Sequence, residues 1–86
     1  MNARDSELKA RSALSRAGRR LGRRGQVLDG MWAGKNTKEI AADLGISTKT
    51  VEYHRTQLYR LFRVDNPVSL CRQALARGVM VFKEVS

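Results

Sequence analysis

A helical architecture is indicated by residues 36–54, which read Asn36-Thr37-Lys38-Glu39-Ile40-Ala41-Ala42-Asp43-Leu44-Gly45-Ile46-Ser47-Thr48-Lys49-Thr50-Val51-Glu52-Tyr53-His54. Asn36 can cap a helix, and Glu39 three residues later can return a hydrogen bond to its backbone amide. Gly45 permits the positive φ of a tight turn, and Ser47 can cap a second helix. The stretch therefore predicts two helices joined by a turn of about three residues, which is a helix-turn-helix.

The second helix of this motif is predicted from Thr48 to about Phe62, with two opposite faces. Its inner face consists of Val51, His54, Leu58, Leu61 and Phe62. Its outward face consists of Lys49, Glu52, Tyr53, Thr56 and Arg60. Because the outward face is polar, it can meet base edges and phosphates in the major groove of DNA.

A helix is also predicted on the N-terminal side of the motif, from Arg23 to Ala33, with Gly34 as the residue that ends it. Its inner face consists of Val27, Leu28 and Met31. Gly30 in its middle is interpreted as a defect that costs about 1 kcal/mol relative to alanine. Trp32 beside this apolar face is interpreted as a packing residue, with an exposed anchor for a partner as the alternative.

A fourth helix is predicted after the motif, because Pro67 suits a first helical position and Asn66 can cap it. Its apolar face consists of Leu70, Cys71, Ala74 and Leu75, and it closes at Arg77-Gly78. The tail 79–82 is too short for a sheet of its own, so we expect it to pack on the body of the domain or on another subunit.

The N-terminal segment from Asp5 to about Arg20 is predicted to be helical, because good helix formers surround a thin apolar stripe. That stripe consists of Ala10, Leu14, Ala17 and Leu21. The predicted organisation is thus a basic N-terminal arm or connector helix over residues 1–20, an all-α domain over 21–80 and a C-terminal tail over 81–86.

The chain has 86 residues and a net charge of +9, from 17 Lys and Arg against 8 Asp and Glu. This balance indicates an anionic partner such as nucleic acid or an acidic membrane surface. Residues 1–24 hold eight of the basic and two of the acidic residues, so most of the excess lies outside the helix-turn-helix. A solvated basic arm and a specific contact both account for that segment.

Several classes of protein are excluded by what the chain contains. One cysteine, Cys71, and one histidine, His54, allow neither an intrachain disulfide nor a zinc cluster, so no cofactor or metal is expected. No apolar run approaches the roughly 18 residues of a membrane-spanning helix, and no secretion signal is evident. No nucleophile-base pair, carboxylate dyad or phosphate loop appears, so the chain is not expected to be an enzyme.

We expect His54 to be a hydrogen-bonded, at least half-buried side chain and Cys71 a small core residue.

Residues 21 to about 80 resemble the LuxR/FixJ-type (GerE-type) helix-turn-helix of bacterial transcription regulators. The matching elements are Ala33-Gly34, Thr37-Lys38-Glu39-Ile40-Ala41, Leu44-Gly45-Ile46-Ser47, Thr50-Val51-Glu52-Tyr53-His54, and Leu58-Tyr59 ahead of Val64. The resemblance implies a four-helix domain that binds a specific sequence of double-stranded DNA, in the bacterial cytoplasm on the nucleoid.

The same resemblance implies roles for individual side chains of the predicted reading helix and its neighbour. Base-reading positions fall on Glu52, Tyr53 and Thr56. Phosphate-contacting positions fall on Lys38, Lys49, Thr50, Arg55 and Arg60. For Glu52, acceptance of a hydrogen bond from cytosine N4 and an i,i+3 bridge to Arg55 are both open.

The chain also departs from the family pattern. A Leu-Thr and an Arg-Glu pair usually open the domain, whereas this chain has Leu21-Gly22-Arg23-Arg24-Gly25. Gly30 stands where leucine is usual, and Leu61 where lysine is usual. The missing acidic residue and the missing lysine are consistent with the loss of one ion pair.

A homodimer on a pseudo-palindromic DNA site is expected to form through the fourth helix. The mixed face available for it consists of Ser69, Arg72, Gln73 and Ala76. The N-terminal segment resembles the connector that joins a phosphoacceptor receiver to this type of domain. The chain is therefore either a stand-alone regulator or the excised C-terminal domain of a longer one.

Two alternatives use the same fold for a different purpose. One is a protein-interaction module that binds a sigma factor, RNA polymerase or another regulator and touches DNA weakly. The other is a domain like region 4 of a sigma factor, against which the helix that begins at Pro67 argues. An RNA-binding role would explain the charge but not the ordered turn and its capping residues.

Overall fold

A computed structural model describes residues 13–81, which form five α-helices and no strand. The helices are α1 (Arg16–Arg19), α2 (Arg23–Trp32), α3 (Thr37–Leu44), α4 (Thr48–Phe62) and α5 (Pro67–Ala76). The predicted all-α class and the four predicted helices of the domain are confirmed. None of the helices in this part of the chain has the length and apolar character needed to span a bilayer.

The helix-turn-helix begins and turns at the capping residues that the sequence indicates. The backbone amide of Glu39 donates to Asn36 Oδ1 at 2.9 Å, and the amide of Asn36 donates to Glu39 Oε1 at 3.1 Å. Gly45 has a φ of 66°, which ends α3 in the left-handed conformation that glycine adopts without strain. The Ser47 hydroxyl then accepts the amide of Thr50 at 3.1 Å. Local side-chain chemistry therefore sets the turn between α3 and α4.

Two further helix ends predicted from the sequence are also confirmed. Gly34, with a φ of 82°, follows α2. Asn66 Oδ1 accepts the amide of Ser69 at 2.9 Å, with Pro67 as the first residue of α5. The rigid proline ring suits this position because its missing N–H has no helical acceptor there.

One hydrophobic core joins α2, α3, α4 and α5 with residues 13–14 and the C-terminal tail. Its buried side chains are Ala13, Leu14, Val27, Leu28, Ile40, Ala41, Val51, Leu58, Phe62, Leu70, Ala74 and Met80. Met31, Trp32 and Leu44 are partly buried against this cluster, so Trp32 is a packing residue as predicted. The core fixes α4 against α2 and α3, and the outward face of α4 is exposed to solvent.

The prediction that Leu61 faces inward is wrong, because its side chain is 44% exposed. At 100° per residue, Leu61 lies about 80° from the centre of the apolar face of α4, at its edge. The end of α4 meets Arg77, whose guanidinium donates to the carbonyl of Leu61 at 3.4 Å and lies over the ring of Phe62. The last buried residue of α4 is therefore Phe62.

The predicted continuous helix from Asp5 to Arg20 is also wrong. Of this segment the structure describes residues 13–20, and only Arg16–Arg19 of these are helical. Residue 14 instead forms an antiparallel bridge with residue 80. The amide of Ser15 donates to the carbonyl of Val79 at 3.0 Å, and the amide of Val81 donates to that of Ala13 at 3.0 Å. Pairing with the tail holds residues 13–15 extended, and residues 5–12 lie outside the described part.

The tail from Val79 to Val81 packs on the body of the domain, as expected, while Phe82 lies outside the described residues. Met80 is 1% exposed and belongs to the core. The paired segment is also fixed to α2, because the amide of Ala13 donates to Asp29 Oδ1 at 2.8 Å. Residues near both ends of the described chain thus contribute to the domain body.

Gly30 is the site of a close approach between α2 and α3. A Cβ atom at this position would lie 2.8 Å from Cγ1 and 3.1 Å from Cδ1 of Ile40. The interpretation of Gly30 as a defect is therefore incomplete, because a larger residue would separate two helices that share the core.

Gly30→Ala is expected to lower the free energy of unfolding by about 1 kcal/mol, since overpacking outweighs the gain in helix propensity. Urea unfolding followed by circular dichroism measures the change. Gln26→Ala on the exposed side of α2 is the matched control and is expected to stay near wild type. A more stable Gly30→Ala protein would contradict the close approach.

Candidate nucleic-acid interface

The outward face of α4 presents five polar side chains in an unbroken exposed stripe. These are Lys49, Glu52, Tyr53, Thr56 and Arg60. We refer to them as the reading face. The structure brings all five together on one side of the longest helix in the described chain, while Val51, Leu58 and Phe62 hold the opposite side in the core. An exposed polar helix face backed by a rigid body can enter the major groove of DNA.

Tyr53 is the most prominent side chain of the reading face, with 61% of its surface exposed. Its ring meets the ring of His54 edge to face, with the centroids 5.6 Å apart. This arrangement restrains the tyrosine without burying it. Tyr53 thus combines an apolar ring and a hydroxyl that both face solvent, which suits contact with a base or with a thymine methyl group.

Thr56 donates its hydroxyl hydrogen to the backbone carbonyl of Glu52 at 3.1 Å. The lone pairs of the same oxygen remain able to accept a hydrogen bond, and the methyl group is free for apolar contact. In this rotamer, Thr56 favours a base that offers an amino donor or a methyl group.

Glu52 makes no ion pair within the described residues, where the one ion pair joins Lys35 to Asp43. The alternative bridge from Glu52 to Arg55 does not form, because the Arg55 guanidinium is hydrogen-bonded to Thr37 and Tyr59. The carboxylate of Glu52 stays exposed on the reading face. It is an acceptor for which cytosine N4 is the matching donor in the major groove.

The predicted phosphate contacts Lys38, Lys49 and Thr50 lie in the first turns of α3 and α4. Lys38 and Lys49 are exposed, whereas Thr50 is half-buried with its hydroxyl 2.9 Å from that of Ser47. The first turn of a helix carries unpaired amides and a positive partial charge, so anions are stabilised there. Arg60 lies farther along, on the exposed reading face.

Arg55 differs from the other predicted phosphate contacts in its position and its partners. It is half-buried and lies outside the reading face. Its Nη1 donates to Thr37 Oγ1 at 2.7 Å, and its Nη2 donates to Tyr59 Oη at 3.1 Å. No role was predicted for Thr37 or Tyr59 from the sequence. The i,i+4 spacing of Arg55 and Tyr59 is the one signal that could have indicated part of this cluster.

The mixed face predicted on α5 is present but only partly exposed. Arg72, Gln73 and Ala76 are exposed, whereas Ser69 is half-buried. Val68 on the same helix is 66% exposed. The helix therefore offers polar and small side chains with one apolar residue. Pairing of this face with a second copy of the chain stays a prediction.

His54 and Cys71 are both half-buried. The expected hydrogen bond of His54 is not found at Nδ1, which is buried without a partner in the described residues. Burial raises the pKa of the Cys71 thiol by desolvating the thiolate. A raised pKa makes the reactive thiolate rarer at neutral pH, which fits a packing role.

Comparison with known proteins gives a family match over most of the described chain. The family "Bacterial regulatory proteins, luxR family" matches residues 22–74, from the residue before α2 to the last turn of α5. No solved structure matches significantly.

Three relatives with curated descriptions share between 39% and 46% of the aligned residues. The transcriptional regulatory protein UhpA of Escherichia coli is 46% identical over 48 residues, which are 56% of this chain and 24% of the relative. The transcriptional regulatory protein FixJ of Rhizobium meliloti is 43% identical over 53 residues, 62% of this chain and 26% of the relative. An uncharacterized response regulatory protein of Escherichia coli, YgeK, is 39% identical over 57 residues, 66% of this chain and 39% of the relative. The match to UhpA and FixJ thus spans about a quarter of each relative.

Proposed function

The chain belongs to the luxR family of bacterial regulatory proteins, and we propose that it recognises a specific sequence of double-stranded DNA with α4 in the major groove. It is a helix-turn-helix domain of the DNA-binding, transcription-regulating kind. The observation that carries the proposal is the reading face, an uninterrupted exposed polar stripe on a helix whose other side is locked into the core. Activation or repression of transcription would follow from where the bound sequence lies.

Glu52, Tyr53 and Thr56 are the proposed base-reading residues. Glu52 and Tyr53 are adjacent in one turn of the reading face and Thr56 lies one turn farther, so their side chains can reach neighbouring base pairs when the helix lies along the groove. The acceptors on Glu52 and Thr56 favour amino groups of cytosine or adenine, and the Tyr53 ring favours a thymine methyl.

Lys38, Lys49, Thr50 and Arg60 are the proposed phosphate contacts. Three of them, Lys38, Lys49 and Thr50, stand in the first turns of α3 and α4, where the positive end of the helix dipole adds to the attraction of a phosphate. Phosphate contacts fix the register of the protein on the duplex and supply affinity without sequence preference. Arg55, the fifth predicted contact, differs from these because its guanidinium has protein partners.

Pairing of two copies through α5 is proposed to place two reading faces on a pseudo-palindromic site. The face for it consists of Ser69, Arg72, Gln73 and Ala76. RNA polymerase or a sigma factor is a further proposed partner at the promoter. The proposed location of the protein is the nucleoid in the bacterial cytoplasm.

The function is tested by selecting bound sequences from a random double-stranded library and then measuring affinity for the selected and for random DNA. Tyr53→Ala/Thr56→Ala is expected to weaken binding to the selected sequence about thirtyfold or more, since two base contacts of at least about 1 kcal/mol each are lost. Binding to random DNA should change little. Gln26→Ala on α2 is the matched control and should match wild type on both. Equal losses on both DNAs would contradict the base-reading assignment.

Phosphate contact is tested by the dependence of affinity on salt. Lys49→Gln is expected to weaken binding to every sequence and to reduce the log–log salt slope by about 1, because one fewer counterion is released. An unchanged slope would remove Lys49 from the phosphate contacts. Wild-type affinity that does not fall between low and physiological salt would contradict phosphate-driven recognition altogether.

A further inference from the structure

We infer that Arg55 is a positioning residue that sets the angle of the reading helix α4 on α3 by joining the hydroxyls of Thr37 and Tyr59. The inference rests on the proposed function, because the angle matters through the DNA that α4 reads. It replaces direct phosphate contact as the main role of this side chain.

Arg55, Thr37 and Tyr59 form a hydrogen-bonded link between α3 and α4, which we call the strap. Thr37 is the first residue of α3, and Arg55 lies in the middle of α4, eighteen positions later in the chain. The Arg55 guanidinium reaches Thr37 Oγ1 at 2.7 Å and Tyr59 Oη at 3.1 Å. Tyr59 lies one turn farther along α4, so it holds the guanidinium from its own helix while the other nitrogen reaches across.

The position of the strap gives it leverage over the helix angle. The turn at Gly45 and Ser47 joins the C-terminal end of α3 to the start of α4. The strap joins the N-terminal end of α3, about 10 Å away along the helix, to the middle of α4. The buried side chains of α3, Ile40 and Ala41, lie in the middle of the helix, so the strap supplies a contact at the N-terminal end that the core does not. Attachment at both ends of α3 leaves α4 one orientation.

The chemistry of arginine suits this role better than that of lysine. A guanidinium is planar and presents several N–H donors in a fixed fork, so it can serve two acceptors in different directions. A lysine ammonium at the same position would keep the charge but lose the fork. Both partners are neutral hydroxyls, so their removal changes no charge, and this separates positioning from electrostatic attraction to phosphate.

The test compares variants of the three residues on DNA selected by the wild-type domain and on random DNA. Thr37→Ala and Tyr59→Phe each remove one acceptor, and each is expected to weaken binding to the selected sequence about fivefold. Binding to random DNA and the salt slope should stay at wild-type values. Thr37→Ser keeps the acceptor and is the matched control, expected to bind as wild type does.

Arg55→Lys distinguishes the strap from a phosphate contact. The strap predicts a loss on the selected sequence at least as large as that of Thr37→Ala, with the salt slope kept. Combining Arg55→Lys with Thr37→Ala should cause little further loss, because both remove the same hydrogen bond. Wild-type binding by Arg55→Lys, together with a slope reduced by about 1 in Arg55→Gln, would overturn the inference in favour of phosphate contact.

The same variants separate this inference from the proposed function. A wild-type domain that selects no sequence would overturn sequence-specific binding. The strap would still be measured then by thermal unfolding of the Thr37→Ala, Arg55→Lys and combined variants. Non-additive changes in Tm support the strap, and additive changes overturn it.

Discussion

Leu58→Ala is expected to lower the free energy of unfolding by about 3 kcal/mol, the largest effect of any single truncation proposed for this domain. Leu58 is completely buried in the middle of α4. Removal of its three terminal carbons loses the favourable free energy of burying them away from water. It also leaves a cavity that close-packed helices cannot fully close. A domain of this size has a stability of only about 5 kcal/mol or a little more, so the variant should be partly unfolded at 37 °C. DNA binding should fall with the folded fraction.

The matched control for this prediction is Leu61→Ala, because it makes the same chemical change one turn away on the same helix. Leu61 is 44% exposed, so its truncation is expected to cost less than about 1 kcal/mol. Urea unfolding of both variants, followed by circular dichroism, gives the comparison. Equal losses would mean that Leu61 is a core residue, as its place in the sequence pattern suggested. They would contradict the observed exposure of its side chain.

The features that could be predicted from the sequence are those fixed by residues close together in the chain. A capping box needs only Asn36 and Glu39, and the left-handed turn needs only Gly45 followed by Ser47. Each acts within one helical turn, so the pattern of residue types is enough to place it. The reading face follows from the same reasoning, because the helix period alone brings its five residues to one side.

Periodicity was insufficient where a position lies at the edge of a face or against another helix. Leu61 fits the apolar spacing of α4, but the body of the domain does not extend to cover it. Gly30 looks unfavourable within α2, yet Ile40 of α3 occupies the space that a side chain would need. Both outcomes depend on which element lies opposite, and the helix period contains no such information.

Contacts between distant parts of the chain were not predicted for the same reason. Helix-forming residues around Leu14 predict a helix, but hydrogen bonds from the tail hold this segment extended. Tertiary pairing here outweighs helix propensity, which amounts to a few tenths of a kcal/mol per residue. Similarly, Arg55 reads as one more cation near the DNA until the structure brings Thr37 beside it.

The second large effect is expected at Gly18, where alanine should lower the free energy of unfolding by about 2 kcal/mol although it is the better helix former. Gly18 is buried in α1. A Cβ atom there would lie 2.5 Å from the carbonyl oxygen of Val79 and 2.9 Å from Cδ2 of Leu14. The Val79 oxygen cannot move away easily, since it accepts hydrogen bonds from both the amide and the hydroxyl of Ser15.

Two comparisons show whether this close approach is the cause. Arg19→Ala changes an exposed neighbour in the same short helix and is expected to stay within about 0.5 kcal/mol of wild type. Val79→Ala removes the methyl 3.1 Å from the Gly18 position but keeps the carbonyl, so it should not rescue Gly18→Ala. Thermal and urea unfolding of the single and double variants measure the coupling. Rescue would place the clash on the Val79 side chain, and a stable Gly18→Ala protein would mean that the tail does not hold residues 13–15 against the domain as tightly as the hydrogen bonds indicate.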